Sequence, residues 1–257
     1  MVETQALIDW FTAAGVQHYA NDEPTNFFQL KATKALKPQP EVKSTTKDIK
    51  FNPVIPKIID LPATKNAEEI VANIDSTEAL INAAQNFTDC EHKDFATNML
   101  FAQGNFANKI IIISDYPNAD DDKSGTIFSG AVGQLLDKML AAIGMGRDNF
   151  YFVNACFWRP AGGVRPSDAD IDMLRPFVNK LVELTKPKLV LALGGLGLYS
   201  VTGTRGKISQ NRGRLIEQGG IKILPTFNPN HLLITPSLKK PTWNDLQAFK
   251  LLVDEIA

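Results

Sequence analysis

Lys109-Ile110-Ile111-Ile112-Ile113-Ser114-Asp115-Tyr116-Pro117-Asn118 is the stretch that decides the fold. Four consecutive isoleucines leave no polar face, so the strand they form is buried on both sides, as in a parallel sheet covered by helices. In open α/β sheets ligands bind just beyond the carboxyl ends of the strands. Here that end carries an acid, Asp115, a proline turn, and then Gly125-Thr126-Ile127-Phe128-Ser129-Gly130. A carboxylate and a glycine-flanked aromatic ring in one crevice suit a flat heterocycle, with a stacking face and an acid at its edge. The competing account is an ordinary connection with a solvated Asp and a core Phe.

Working outward, three further apolar runs read as strands: Tyr151–Val153, Leu189–Leu193 and Ile221–Leu224. Helical patterns lie between them. Val132 to Ile143 places Leu135, Leu136, Met139, Leu140 and Ile143 on one face and stops at Gly144. Pro166-Ser167-Asp168 opens a second helix that ends before Pro187, and Asp75 with Glu78 resembles a capping box opening an earlier one. This alternation predicts an α/β fold, a three-layer α/β/α arrangement around a central four-stranded, mainly parallel sheet.

Before it the chain changes character. Residues 1–20 read as an amphipathic helix carrying Leu7, Ile8, Trp10 and Phe11. Residues 21–65 read as a disordered or extended linker, because Lys31 to Lys57 holds seven Lys, four Pro and two acids. Residues 66–257 are the expected compact domain. Of the 257 residues, 44% are hydrophobic and 21% charged, enough for a real core, and the net charge of −1 gives no global attraction to nucleic acid. No apolar run is long enough to span a bilayer, so no membrane partner is expected. Two cysteines, Cys90 and Cys156, give no disulfide framework, and a cytoplasmic setting is the natural expectation.

Candidate site residues gather after the strands. Asn154 ends the second, where its amide offers an acceptor and two donors for an imide edge, or simply forms a turn. The fourth leads to Phe227-Asn228-Pro229-Asn230-His231-Leu232-Leu233. His231 is placed to meet a phosphate or a developing anion, or is merely solvated. Leu232-Leu233 suits a wedge between bases, or a core-facing pair. Arg205, Lys207, Arg212 and Arg214 form a basic cluster, with Arg159, Arg165, Lys239 and Lys240 in neighbouring loops; scattered surface charges would look the same.

In this order the motifs resemble family 4 type uracil-DNA glycosylases, over roughly Cys90 to Ala257. The resemblance rests on Gly130 to Leu140, on Asn154 with Trp158-Arg159-Pro160, on Leu189 to Gly195, and on Phe227-Asn228-Pro229 through Pro236-Ser237-Leu238-Lys239. An N-terminal extension of alphaproteobacterial members looks similar to Ala13-Ala14-Gly15-Val16 and Asp22-Glu23-Pro24. It implies hydrolysis of the N-glycosidic bond of a uracil flipped out of DNA, in base excision repair, by a monomer whose partner is uracil-containing DNA.

The resemblance also implies roles. Asp115 stands for the active-site glutamate on a shorter arm, and Asn228 for a histidine that meets the charge on the departing base. Phe128 matches the stacking ring, Asn154 the uracil-reading asparagine, and Tyr116 joins them at the base. His231, Leu232, Arg159, Arg212, Arg214 and Lys239 are the implied DNA contacts. The family's 4Fe-4S cluster needs four cysteines; here Cys90 matches one, and Lys93, Trp158 and Leu174 hold the other places. No such cluster, and no other metal, is therefore expected. Two rival readings stay open: a non-catalytic nucleic-acid-binding or interaction protein on the same fold, and a glycosylase shifted to another deaminated base.

Overall fold

The isoleucine strand lies at the centre of a six-stranded sheet in a computed structural model that describes residues 62–256. The readings made for residues 1–20 and for most of 21–65 lie outside the described residues. The strands are β1 (Ala102–Gly104), β2 (Ile110–Ser114), β3 (Tyr151–Asn154), β4 (Leu189–Leu193), β5 (Ile216–Gln218) and β6 (Ile221–Thr226), in spatial order β1-β3-β2-β4-β6-β5. The inner four, β3-β2-β4-β6, run parallel and are the four expected from sequence. Two three-residue edge strands, β1 and β5, pair antiparallel with β3 and β6. Neither has an apolar run, because an edge strand half-exposed to solvent needs none.

The described helices are α1 (Pro62–Val71), α2 (Thr77–Asn86), α3 (Ala119–Ser124), α4 (Gly130–Ala142), α5 (Asp168–Thr185), α6 (Gly195–Thr202), α7 (Ile208–Asn211), α8 (Pro229–Ile234) and α9 (Lys239–Ile256). Helix α5 packs on α1, α2 and α6, while α4 packs on α8 and α9 lies against β4 and β6. With helices on both sides, every residue of β2 and β4 is buried. No described helix is long and apolar enough to cross a membrane.

Helix ends follow the local chemistry, with one shift. The cap of α2 is Ser76, whose hydroxyl accepts from the Ala79 N–H at 3.2 Å, and not Asp75. Either residue type is a good cap; the register of the apolar positions Leu80 and Ala84 selects Ser76. Ser167 caps α5 as expected, with Asp170 closing a capping box.

The chain leaves β2, adds β3 on one side, and then places β4 on the other. The sheet therefore has its topological switch point between the carboxyl ends of β2 and β4, where a crevice forms by geometry alone.

Candidate active site

Asp115 is the first residue past β2, and its carboxylate crosses the switch point to the start of α6. Its Oδ1 accepts the backbone N–H groups of Leu196 at 2.8 Å and Gly197 at 3.0 Å. The first turn of a helix offers free N–H groups and a partial positive charge, so it is a natural seat for a carboxylate. Gly194 makes the seat possible. Its φ of +94° suits glycine, and a Cβ there would sit 2.1 Å from Asp115 Oδ2.

Burial nevertheless pushes the Asp115 pKa above the usual carboxylate value, and the two N–H groups with the charges of Arg165 and His231 only partly offset it. A carboxyl held in this way keeps its proton to higher pH than an ordinary Asp, a perturbation typical of a group in a cleft that does chemistry.

Asn228 stands opposite, as the cap of α8, its Oδ1 accepting from Asn230 N–H at 3.0 Å. Its Nδ2 points back into the sheet tips, 3.1 Å from Ser114 Oγ and 3.5 Å from both Asp115 Oδ2 and Leu193 O. The amide thus ties β2, β4 and β6 together and steadies the acid. The donor anticipated for a departing base is turned instead toward Ser114 and Asp115.

These residues border a cavity of about 810 Å³, whose wall also includes Tyr116, Phe128, Arg165, Lys207, Phe227, His231 and Ile234. Asp115, Asn228, Phe128, Tyr116 and His231 are therefore brought together. Phe128 is at the inner wall, 3% exposed. Asn154 is not part of the wall. It is 1% exposed beside Ser114 in the neighbouring strand, and its Nδ2 donates to Leu100 O at 2.8 Å.

The expected DNA contacts divide. His231 and Arg214 are exposed, and Arg159 is half-buried outside the cavity wall. Three expectations are corrected. Leu232 is fully buried, because adjacent residues on a helix face different ways; Leu233 and Ile234 are the exposed ones, at 41% and 71%. Lys239 is 5% exposed in the first turn of α9, where burial and then Lys138 lower its pKa, so it is no surface phosphate contact. Arg212 is fixed by the buried Asp245, with Nε at 2.9 Å and Nη2 at 2.5 Å from the two carboxylate oxygens. It also donates to Pro241 O and lies 5.6 Å from the Phe227 ring centroid.

Arg165 and Lys207, noted from sequence only as part of a diffuse basic set, line the cavity itself, and Ile234 beside them was not singled out. All three follow carboxyl ends of strands, β3, β4 and β6 in turn, and that placement was the signal available.

Four thiolates would be required for the cluster that the resemblance implies, and the chain holds two cysteines. At the other ligand places, Lys93 Nζ donates to Gln85 O at 2.7 Å and Phe87 O at 3.1 Å and lies 5.9 Å from the Trp158 ring centroid. Leu174 is buried in the core, and Cys156 Sγ donates to Trp158 O at 3.3 Å. An ammonium, an indole and an isobutyl group packed in those places do not fit a four-cysteine cluster. Among the described residues no group of three or more His, Cys, Asp or Glu could hold a metal ion.

Residues 101–247 match the family described as the uracil DNA glycosylase superfamily. The type-4 uracil-DNA glycosylase of Thermotoga maritima is 30% identical over 158 residues, covering 60% of this chain and 82% of that protein. That of Sulfurisphaera tokodaii is 27% identical over 189 residues, covering 69% and 84%. The Archaeoglobus fulgidus enzyme of the same name is 23% identical over 187 residues, covering 68% and 92%.

Proposed function

The chain belongs to the uracil DNA glycosylase superfamily, and from that premise we propose that it hydrolyses the N-glycosidic bond of a uracil turned out of DNA into the cavity. The observation that carries this reading is the convergence of Asp115, Phe128 and Asn228 on one cavity at the switch point of the sheet. Flipping costs a few kcal/mol of unstacking, and the exposed Ile234 on the cavity wall, with the exposed Leu233 next to it in the chain, is the group available to fill the gap left in the stack.

In the bond-breaking step the C1′–N1 electron pair leaves with uracil, and water then adds to C1′, its proton ending on the departed uracil anion, so that an abasic sugar and free uracil result. Asp115 Oδ1 is occupied by two N–H groups, so Oδ2 is the oxygen that faces the cationic sugar and the incoming water. Asn228 holds that oxygen in place. Arg165, which acts electrostatically on Asp115 from the cavity wall, supplies positive charge near the departing anion, and the His231 ring lines the same cavity. The reading uses no iron–sulfur cluster, in keeping with the packing of Lys93, Trp158 and Leu174.

Purified protein at stoichiometric concentration is expected to leave abasic sites in uracil-containing single- and double-stranded DNA, and Asp115→Ala to abolish them. Absence of abasic product from the unaltered chain would overturn the proposal.

A second reading is favoured by the restraint on Asp115, one methylene shorter than the family's glutamate and doubly held by α6. On that reading the protein binds nucleic acid without excision. Salt-dependent affinity for DNA with no base release from any deaminated-base substrate would select it.

A further inference from the structure

We propose that Arg147 is a positioning residue for base excision, acting through Phe128; this rests on the reading above, in which the Phe128 ring is the wall against which the base lies. Phe128 has φ of +59°, in the left-handed region where a residue with a Cβ is uncommon and is held only by its surroundings. Arg147 supplies the hold. One arm of its guanidinium donates to Phe128 O at 2.5 Å and the other to Ile127 O at 3.0 Å, while Nε donates to Asp137 Oδ1 at 2.6 Å. A planar fork with all three nitrogens engaged fixes two consecutive carbonyls as no single ammonium can.

The turn is closed from other sides as well. Ser129 N–H donates to Asp121 Oδ1 at 2.5 Å, and Phe128 O lies so close to α4 that a Cβ on Gly133 would come within 1.9 Å of it. Phe152 stands edge-on to the Phe128 ring at 5.9 Å, and the Arg147 guanidinium lies 5.8 Å from the Phe152 centroid. Arg147 itself is not on the cavity wall. Its effect on the reaction must therefore pass through the peptide that aims the ring.

The test is a double-mutant cycle of Arg147→Lys and Phe128→Ala, reading kcat and KM for excision from uracil-containing duplex together with Tm. Arg147→Lys keeps the charge and loses the fork. Its kcat is expected to fall about tenfold to a hundredfold, the scale of a misplaced reacting group, with KM for DNA little changed. In the Phe128→Ala background the same substitution is expected to cost nothing further. Losses that multiply in the two backgrounds would overturn the positioning role while leaving the proposed function intact. An unchanged rate for Phe128→Ala would overturn the stacking role and this proposal with it. Should Arg147→Lys fail to fold, Asp137→Asn loosens the same guanidinium from the exposed side, and a kcat loss confined to the Phe128 background is again required.

Discussion

Asp115 and Asn228, separated by 113 residues in sequence, face each other with Oδ2 and Nδ2 3.5 Å apart. The amide also reaches Ser114 Oγ and caps α8, so one side chain fixes the acid and the loop that follows β6. Asn228→Asp keeps an oxygen for the cap but removes the donor and sets a second carboxylate against the first. Like charges at that range raise one of the two pKa values. Expected outcomes are an acid limb of the excision profile moved to higher pH, and a stability loss of roughly 1–3 kcal/mol at neutral pH from the unpaired groups. Denaturant melts and pH–rate curves beside Asn228→Ala measure both.

Burial holds the Asp115 proton to higher pH in the folded protein than in the unfolded chain. Such a group adds stability below the ordinary carboxylate pKa and loses it as pH rises through the folded value. Asp115→Asn should therefore raise Tm at neutral pH, with a gain that shrinks as pH falls toward the ordinary carboxylate range. A gain equal at every pH would mean that the effect is not ionisation. Excision by the unaltered chain should decline on acidification earlier than an ordinary Asp would dictate.

Gly194→Ala places a methyl group where Asp115 Oδ2 now lies, on a backbone with φ of +94°. The acid must leave its seat on α6. A stability loss of more than about 1 kcal/mol is expected, with excision reduced to near the level of Asp115→Ala. Single-turnover rates compare the two variants directly.

Two arginines should part company. Arg212→Met strands the buried carboxylate of Asp245 and is expected to cost about 3 kcal/mol. Arg165→Gln, exposed at the cavity, should leave Tm unchanged and lower the slope of log affinity for DNA against log salt by about 1. Thermal melts and salt titrations of both variants decide it.

Neighbouring apolar residues of α8 should separate in the same way. Leu232→Ala empties a core position and is expected to cost about 2–5 kcal/mol. Ile234→Ala should leave stability nearly unchanged and slow excision from duplex more than from single-stranded DNA, where no stack needs filling. The ratio of the two rates is the measurement.

Local pattern carried much of this. The all-buried β2, the periodic faces of α4 and α5, and the acid and aromatic ring beyond a strand end could be read within a few residues of each other. The short edges β1 and β5 could not, because a three-residue, half-exposed strand is stabilised by its neighbour and not by its own composition. The side-chain contacts of Asn154 were equally hidden, since its amide is engaged by Leu100, 54 residues earlier.

What the amino-acid order settled by itself was the parallel α/β architecture and the loops in which chemistry would gather, since both follow from hydrophobic runs and punctuation along the chain. Only the folded arrangement decided that Asp115 would be seated on α6, that Asn228 would turn toward it, that Arg212 would be tied to Asp245, that Lys239 would be withdrawn from solvent, and that Leu232 would enter the core. Each of those outcomes depends on partners brought close by packing from distant parts of the chain, and burial and pairing are properties of that shared space.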